Sequence, residues 1–317
     1  MSKPVLFVSF RPLERAENLH AIYDAYPGEK AYICTHDPHY DQEVLSGKYD
    51  LMVIDEFPDI SPGKFIMIWH AIQGGKCIGL DQPNPYYHKS DAKLMTKIVT
   101  AGTGSIDMWH SATRVPKEDI LPLGMPRTDD YKDKKKGSGG TILAKYRSYL
   151  FAPTFRWYYD TPFPLIDWEY IDSQLSDDEL FVVKSHPVYQ QLPDSALCNK
   201  TYKHILEVSG LEPSANYLYD CDVLITDYSS ILFDAYLLHK PVVLFEKTIG
   251  YPKQHGMYMS YPDDYATRYA GNEYELLSEL REEQPAPIPD SIFSLTNACD
   301  GHSCERIIKL IDELNQN

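Results

Sequence analysis

Residues 217–245 constrain this chain more than any other stretch. Val223 to Ile225 is a short β-branched apolar run, as a strand buried on both faces of a parallel sheet requires, and it stops at Thr226-Asp227. Ile231, Leu232, Ala235, Leu238 and His239 then recur at three- and four-residue spacing. That spacing predicts a helix opening just after Asp227, Ser229 and Ser230, all good N-cap types. Pro241 to Phe245 follows as a second buried strand. Strand, polar elbow, helix and strand make a βαβ unit, whose elbow lies at the carboxyl edge of a parallel sheet. Hydroxyls and backbone N–H groups at such an edge can receive a phosphate; a plain capped helix is the alternative reading.

The same alternation runs through the rest of the chain. Pro4 to Phe10, Ala31 to Cys34, Tyr49 to Asp55 and Lys64 to Trp69 read as strands, and Leu13, Ala16, Leu19, Ile22, Tyr23 and Tyr26 keep helical spacing between the first two. Tyr149 to Ala152, Leu180 to Val183, Val223 to Ile225 and Pro241 to Phe245 restart the pattern. Between the halves, residues 131–140 are cationic and glycine-rich, which marks a linker or exposed loop. The chain has 317 residues, enough for two cores. The expected class is therefore α/β, with two Rossmann-like lobes facing a cleft: residues 1–135, residues 136–300, and a final amphipathic helix in 301–317.

Composition removes several function classes. A formal charge of −16 argues against general nucleic-acid binding, which needs a clustered cationic face. No stretch approaches the roughly 18 to 20 consecutive apolar residues of a membrane-spanning helix, and the first residues lack a secretory pattern. A cytoplasmic chain is expected. Lys132, Lys134, Lys135 and Lys136 could give it peripheral contact with the inner face of a membrane, and a solvated linker is the safer reading of that cluster. The six cysteines are scattered and are expected to be reduced thiols. Cys299, His302 and Cys304 lack the paired spacing and fourth ligand of a zinc site, so no metal is expected. No phosphate-binding P-loop motif occurs.

Two histidines stand where strands end. His70 follows Phe65 to Trp69 and precedes Gly74-Gly75, and His186 follows Phe181 to Val183 in Lys184-Ser185-His186-Pro187. Histidine is the side chain best suited to take a proton near neutral pH, and equally a common hydrogen-bonded strand-end residue. These segments belong to an ordered set of blocks. They are Ile68-Trp69-His70-Ala71-Ile72-Gln73-Gly74-Gly75-Lys76-Cys77-Ile78-Gly79, Leu123-Gly124-Met125-Pro126-Arg127-Thr128-Asp129, Leu150-Phe151-Ala152-Pro153-Thr154-Phe155-Arg156, Val183-Lys184-Ser185-His186-Pro187 and the stretch 217–245, with a weak echo in Asp300-Gly301 and Glu305-Arg306.

In that order the blocks resemble the CDP-glycerol glycerophosphotransferase family, the teichoic-acid and capsule polyol-phosphate transferases. The resemblance implies a glycosyltransferase type B fold, whose last helix crosses back to the first lobe. It implies transfer of glycerol phosphate, or next ribitol phosphate, from CDP-glycerol or CDP-ribitol to a hydroxyl of a glycan or lipid-linked acceptor. No cofactor or metal is called for. It implies that His70 deprotonates the acceptor, and that His186, Ser229, Ser230 and Asp227 bind the donor pyrophosphate, with Lys184 or Arg156 adding charge against departing CMP. Arg127 would brace the hinge or touch phosphate, and Lys76 would face acceptor or donor phosphate. The family usually has glycine after the histidine; here Ala71 stands there. If that position needs a positive φ or close substrate approach, alanine costs strain or space. A nucleotide-sugar-dependent glycosyltransferase of the same fold and a catalytically silent nucleotide-binding scaffold remain the alternatives.

Overall fold

The computed structural model describes residues 3–57, 60–82, 97–154, 166–185, 197, 200–247, 256–266, 268–282 and 287–316. It divides into two compact units, residues 1–132 with 293–317 and residues 133–292.

In the first unit the chain runs β1 (Val5–Ser9), α1 (Glu17–Ala25), β2 (Lys30–Cys34), α2 (Tyr40–Val44), β3 (Leu51–Ile54), β4 (Lys64–Ile68), β5 (Lys97–Thr100), α3 (Ile106–Thr113) and β6 (Ile120–Pro122). The strands form one sheet in the order β2-β1-β3-β4-β5-β6, with every pairing parallel. The central segments Val5 to Ser9, Leu51 to Ile54 and Phe65 to Ile68 are buried along their whole length, as strands covered on both faces must be.

The second unit runs β7 (Arg147–Phe151), α4 (Trp168–Gln174), β8 (Glu179–Lys184), β9 (Ile205–Val208), α5 (Ser214–Asp220), β10 (Val223–Thr226), α6 (Ile231–Leu237), β11 (Val242–Phe245), β12 (Tyr269–Ala270) and α7 (Glu273–Leu280). Its sheet, ordered β12-β11-β10-β7-β8-β9, is also parallel throughout. Its core joins Tyr149, Phe151, Phe181, Val183, Ile225 and Phe245 to Trp168 and Ile171 of α4 and Leu276, Leu277 and Leu280 of α7. The α/β class with two parallel sheets is thus as expected. Strands β6 and β12 escaped the sequence pattern because they have three and two residues, β9 because Glu207 interrupts its apolar run, and β5 was missed as well.

The expected linker or exposed loop is largely exposed, and from residue 133 it is held to the second unit. Buried Asp220 collects it: Oδ1 accepts from the N–H groups of Gly137 and Gly139 at 2.8 and 2.9 Å, and Oδ2 accepts from Thr141 N and Oγ1 at 2.7 and 2.8 Å. These bonds favour the charged form and hold the Asp220 carboxyl below its ordinary value against the opposing effect of burial. Lys136 Nζ reaches Asp222 Oδ2 at 2.5 Å, and Lys134 lies over the Tyr219 ring at 5.3 Å. The loop therefore folds with residues 133–292, which is why the division falls at 132 rather than 135.

The chain returns to the first unit at residue 293, within α8 (Asp290–Thr296), and ends in α9 (Ser303–Gln316). Ile307, Leu310 and Ile311 join the first unit's core with Leu19 and Ile22 of α1 and with Phe7, Val53 and Ile66. The return begins before residue 301 because backbone already packs there. A Cβ on Gly102 would meet Ser294 O at 2.4 Å, and Ala298 N donates to Ala101 O at 3.0 Å. Residues 123–129 build the seat for α9. Gly124 has φ +88, and a Cβ there would meet Ser303 Oγ at 2.3 Å and Ala298 O at 2.4 Å. Asp129 accepts from Ser303 N and Cys304 N at 2.8 and 2.7 Å, satisfying two donors of the first turn of α9. Arg306 Nε donates to Leu123 O at 3.0 Å, and its Nη2 pairs with Asp300 Oδ1 at 2.8 Å. No helix of the described residues is long and apolar enough to cross a membrane.

Asp129→Ala should therefore lower stability by about 1 kcal/mol, the scale of a lost cap. Gly124→Ala should cost more, since it combines left-handed backbone with a backbone clash. Urea denaturation of the two variants checks the order; equal midpoints to the wild type would show that the α9 seat is dispensable.

Candidate functional site

The first unit's site begins with strand order. Because β1, β3 and β4 are parallel neighbours, Ser9, Asp55-Glu56 and Trp69-His70 lie at the ends of adjacent strands on the carboxyl edge. His70 Nδ1 lies 2.9 Å from Glu56 Oε1 and 3.4 Å from the Asp55 carbonyl oxygen. Its ring stacks at a tilt on Trp69 at 4.5 Å and meets Phe10 at 6.3 Å. Trp69 packs in turn on Phe57 at 5.1 Å and Trp109 at 5.6 Å, so an aromatic cluster backs the imidazole.

The backbone at this edge has run out of ladder partners, and side chains supply them. Asn18 Nδ2 donates to Trp69 O at 2.9 Å, and Arg127 Nη1 donates to His70 O at 3.0 Å. Arg127 N donates to Asn18 Oδ1 at 3.2 Å, closing a network that fixes the turn after β4. Arg127 thus braces the His70 loop within its own unit, and its side chain is only 8% exposed. Ala71 is not among the described non-glycine residues with positive φ, which are Arg114 and His239. Alanine after His70 carries no left-handed strain. Lys76 sits half-buried, and its carbonyl accepts from Gln73 Nε2 at 2.6 Å.

Asp55 was not singled out in the sequence, nor were Asn18, Ser9 and Glu56. Asp55 is 1% exposed; its Oδ2 accepts from Ser9 Oγ at 3.0 Å, and its Oδ1 has no hydrogen-bond partner among the described residues. Burial pushes its pKa up to about 6 against the opposing pull of His70 and Ser9. The hint was available, since an apolar strand ending in Asp-Glu is a site signature in a parallel sheet, but the strand order that sets it beside His70 was not.

In the second unit, Asp227 and Thr226 clasp the segment after β7. Asp227 Oδ1 accepts from Thr154 N and Oγ1 at 2.9 and 2.7 Å, and Thr226 Oγ1 donates to Ala152 O at 2.7 Å. The capping expectation needs correction here. Asp227 is fully buried and serves Thr154, and Ser230, at the N-cap of α6, makes no side-chain cap hydrogen bond. The hydroxyls of Ser229 and Ser230 are half-buried and make no hydrogen bond among the described residues. Lys184 is 3% exposed, and its Nζ donates to the carbonyls of Ser209 and Gly210 at 3.1 and 3.3 Å. It ties the end of β8 to the turn that follows β9. Arg156 and His186 lie outside the described residues.

No cluster that could hold a metal occurs among the described residues. Cys299 Sγ approaches Ala101 O at 3.6 Å, His302 pairs with Glu305 at 3.5 Å, and Cys304 Sγ lies 4.0 Å from Pro126 O.

With this geometry in view, comparison with known proteins is decisive for the family. The model of the CDP-glycerol:poly(glycerophosphate) glycerophosphotransferase family matches residues 49–313. The chain belongs to that family. The teichoic acid poly(ribitol-phosphate) polymerase of Bacillus spizizenii is 26% identical over 295 residues, covering 82% of this chain and 46% of that protein. The teichoic acid glycerol-phosphate primase of Bacillus subtilis is 27% identical over 269 residues, covering 79% and 68%. The chain spans about half the length of several curated relatives it matches. A solved structure of the wall teichoic acid polymerase TagF superposes with TM-score 0.80 at 20% identity, covering 99% of this chain and 89% of that one. That likeness carries the fold, glycosyltransferase type B. A UDP-N-acetylglucosamine 2-epimerase from Listeria monocytogenes also superposes, at TM-score 0.59 and 12% identity, so this architecture is shared by proteins with other names.

Asp55 makes a stability prediction. An acid whose pKa rises from 3.8 to about 6 on folding binds its proton more tightly when folded, so the stability it contributes is present below the unfolded value and lost as pH rises through about 6. Asp55→Asn should flatten that part of the stability profile, gaining on the wild type as pH rises, as read by thermal unfolding from acid to neutral pH. Parallel profiles would show that the carboxyl does not titrate in this window.

Proposed function

We propose that the chain transfers a polyol phosphate from a CDP-activated donor to a hydroxyl of a glycan or lipid-linked acceptor, releasing CMP, in the assembly of a teichoic-acid-like or capsule polymer. Glycerol phosphate is the first choice of group and ribitol phosphate the second. The observation that carries the reading is His70: a histidine at the carboxyl edge of a parallel sheet, inside the stretch matched by the family model, with its ring backed by aromatic side chains and its backbone carbonyl held by Arg127.

In this reading His70 takes the proton of the acceptor hydroxyl as its oxygen attacks the β-phosphorus. The Ser229 and Ser230 hydroxyls, open in the structure, and His186 receive the pyrophosphate, and His186 and Arg156 steady the charge on departing CMP. Lys76 faces acceptor or donor phosphate. The chemistry calls for no metal or cofactor, because positioning and charge stabilisation carry a phosphoryl transfer whose leaving group is already a phosphate monoester. Relatives named for glycerol phosphate and for ribitol phosphate both match, so the donor is chosen by measurement.

Titration calorimetry with CDP-glycerol, CDP-ribitol, CMP and two UDP-sugars is the test. Selective binding of one CDP-polyol is expected, weakened about tenfold or more by His186→Ala through loss of a charge-assisted hydrogen bond. His70→Ala should leave donor binding intact while turnover falls by about 10² to 10⁴. The rate should not change on adding EDTA. Preference for a UDP-sugar would overturn the reading in favour of a glycosyltransferase, and binding without wild-type turnover would leave a scaffold.

A further inference from the structure

The ring of His70 is held by a group that neither the family likeness nor the sequence reading assigns. We propose that Glu56 is the positioning residue of His70, fixing which ring nitrogen carries the proton; the proposal rests on the reading of His70 as the base.

Nδ1 faces two acceptors, Glu56 Oε1 at 2.9 Å and the Asp55 carbonyl at 3.4 Å. Two acceptors at one ring nitrogen demand a proton there, so neutral His70 is the Nδ1–H tautomer and Nε2 keeps its lone pair. Of the other groups around the ring, only the Asp55 carbonyl shares this role. Asp55 lends only its backbone carbonyl, since its carboxyl Oδ2 is bound by Ser9. Arg127 holds the His70 carbonyl, not the imidazole, and Arg11 lies over the Phe10 ring at 4.4 Å. Trp69 and Phe10 limit the tilt of the ring through its faces and edge; Glu56 sets its rotation and its proton. Both His70 and Glu56 side chains are about a quarter exposed, at 28% and 26%, so the pair is open to an incoming acceptor while partly shielded from water.

During transfer the acceptor O–H bond breaks as its oxygen bonds to phosphorus, and the proton passes to Nε2. The phosphorus–oxygen bond to CMP breaks, with its electron pair leaving on the CMP phosphate. At that moment His70 is an imidazolium with Glu56 as its counter-ion, which lowers the cost of holding the proton.

Glu56→Gln tests this. The glutamine amide can present a donor to Nδ1, so the tautomer should move away from Nδ1–H. The readout is ¹⁵N NMR of histidine-labelled full chain, with the His70 signals assigned by their loss in His70→Gln. Turnover should fall about 10²-fold with the donor KM unchanged. Glu56→Asp should restore part of the lost turnover. An unaltered tautomer in Glu56→Gln, or an unaltered kcat, would overturn the proposal. Absence of wild-type turnover would sink the transferase reading alone, and the tautomer would still decide the role of Glu56.

Discussion

Parallel pairing of β3 with β4, in the register Ile54 to Met67, is the constraint on which the placement of His70 beside Asp55 and Glu56 depends. Every strand of a parallel sheet leaves its residues at one edge, so the backbone past the last ladder bond must find new partners just where ligands bind. Asn18 and Arg127 provide them for Trp69 and His70. The backbone N–H of Arg127 also donates to Asn18 Oδ1, so the amide that holds the Trp69 carbonyl is itself fixed by the residue that holds the His70 carbonyl. The placement of His70 is therefore built on a few amide and guanidinium contacts.

The second unit meets the same demand differently. Its edge is closed by Asp227 and Thr226, which hold Thr154 and Ala152, and by Lys184, which spends its ammonium on two carbonyls. Buried charge is tolerable there because each group is bonded on the spot. The hydroxyls of Ser229 and Ser230 are the contrast, half-buried and without partners among the described residues. Some polar residues of the signature stretch are thus framework, and the two serine hydroxyls are those whose hydrogen-bonding capacity the framework leaves unspent.

The block from Leu123 to Asp129 shows how much of a family motif can be architecture. Gly124 admits the backbone near Ala298 and Ser303, Arg127 holds the His70 loop, and Asp129 caps α9. One short segment so couples the end of the chain to the edge that carries the histidine. The asymmetry of α9, with Ile307, Leu310 and Ile311 on one side, then completes the first unit's core.

The sequence by itself determined the alternation of strands and helices, because buried parallel strands must be continuous apolar runs and covering helices must be amphipathic on one side. It also placed His70 at a strand end, since Phe65 to Trp69 is apolar and Gly74-Gly75 is not. Tertiary structure decided the rest. Strand order, which no single sequence encodes locally, brought Ser9, Asp55 and Glu56 beside His70. Burial gave Asp227 and Lys184 internal partners, because a charged side chain enclosed by backbone satisfies that backbone first. Asp220 likewise made a glycine-rich, cationic stretch into fixed structure, through contacts 79 to 83 residues away in the chain that composition cannot reveal.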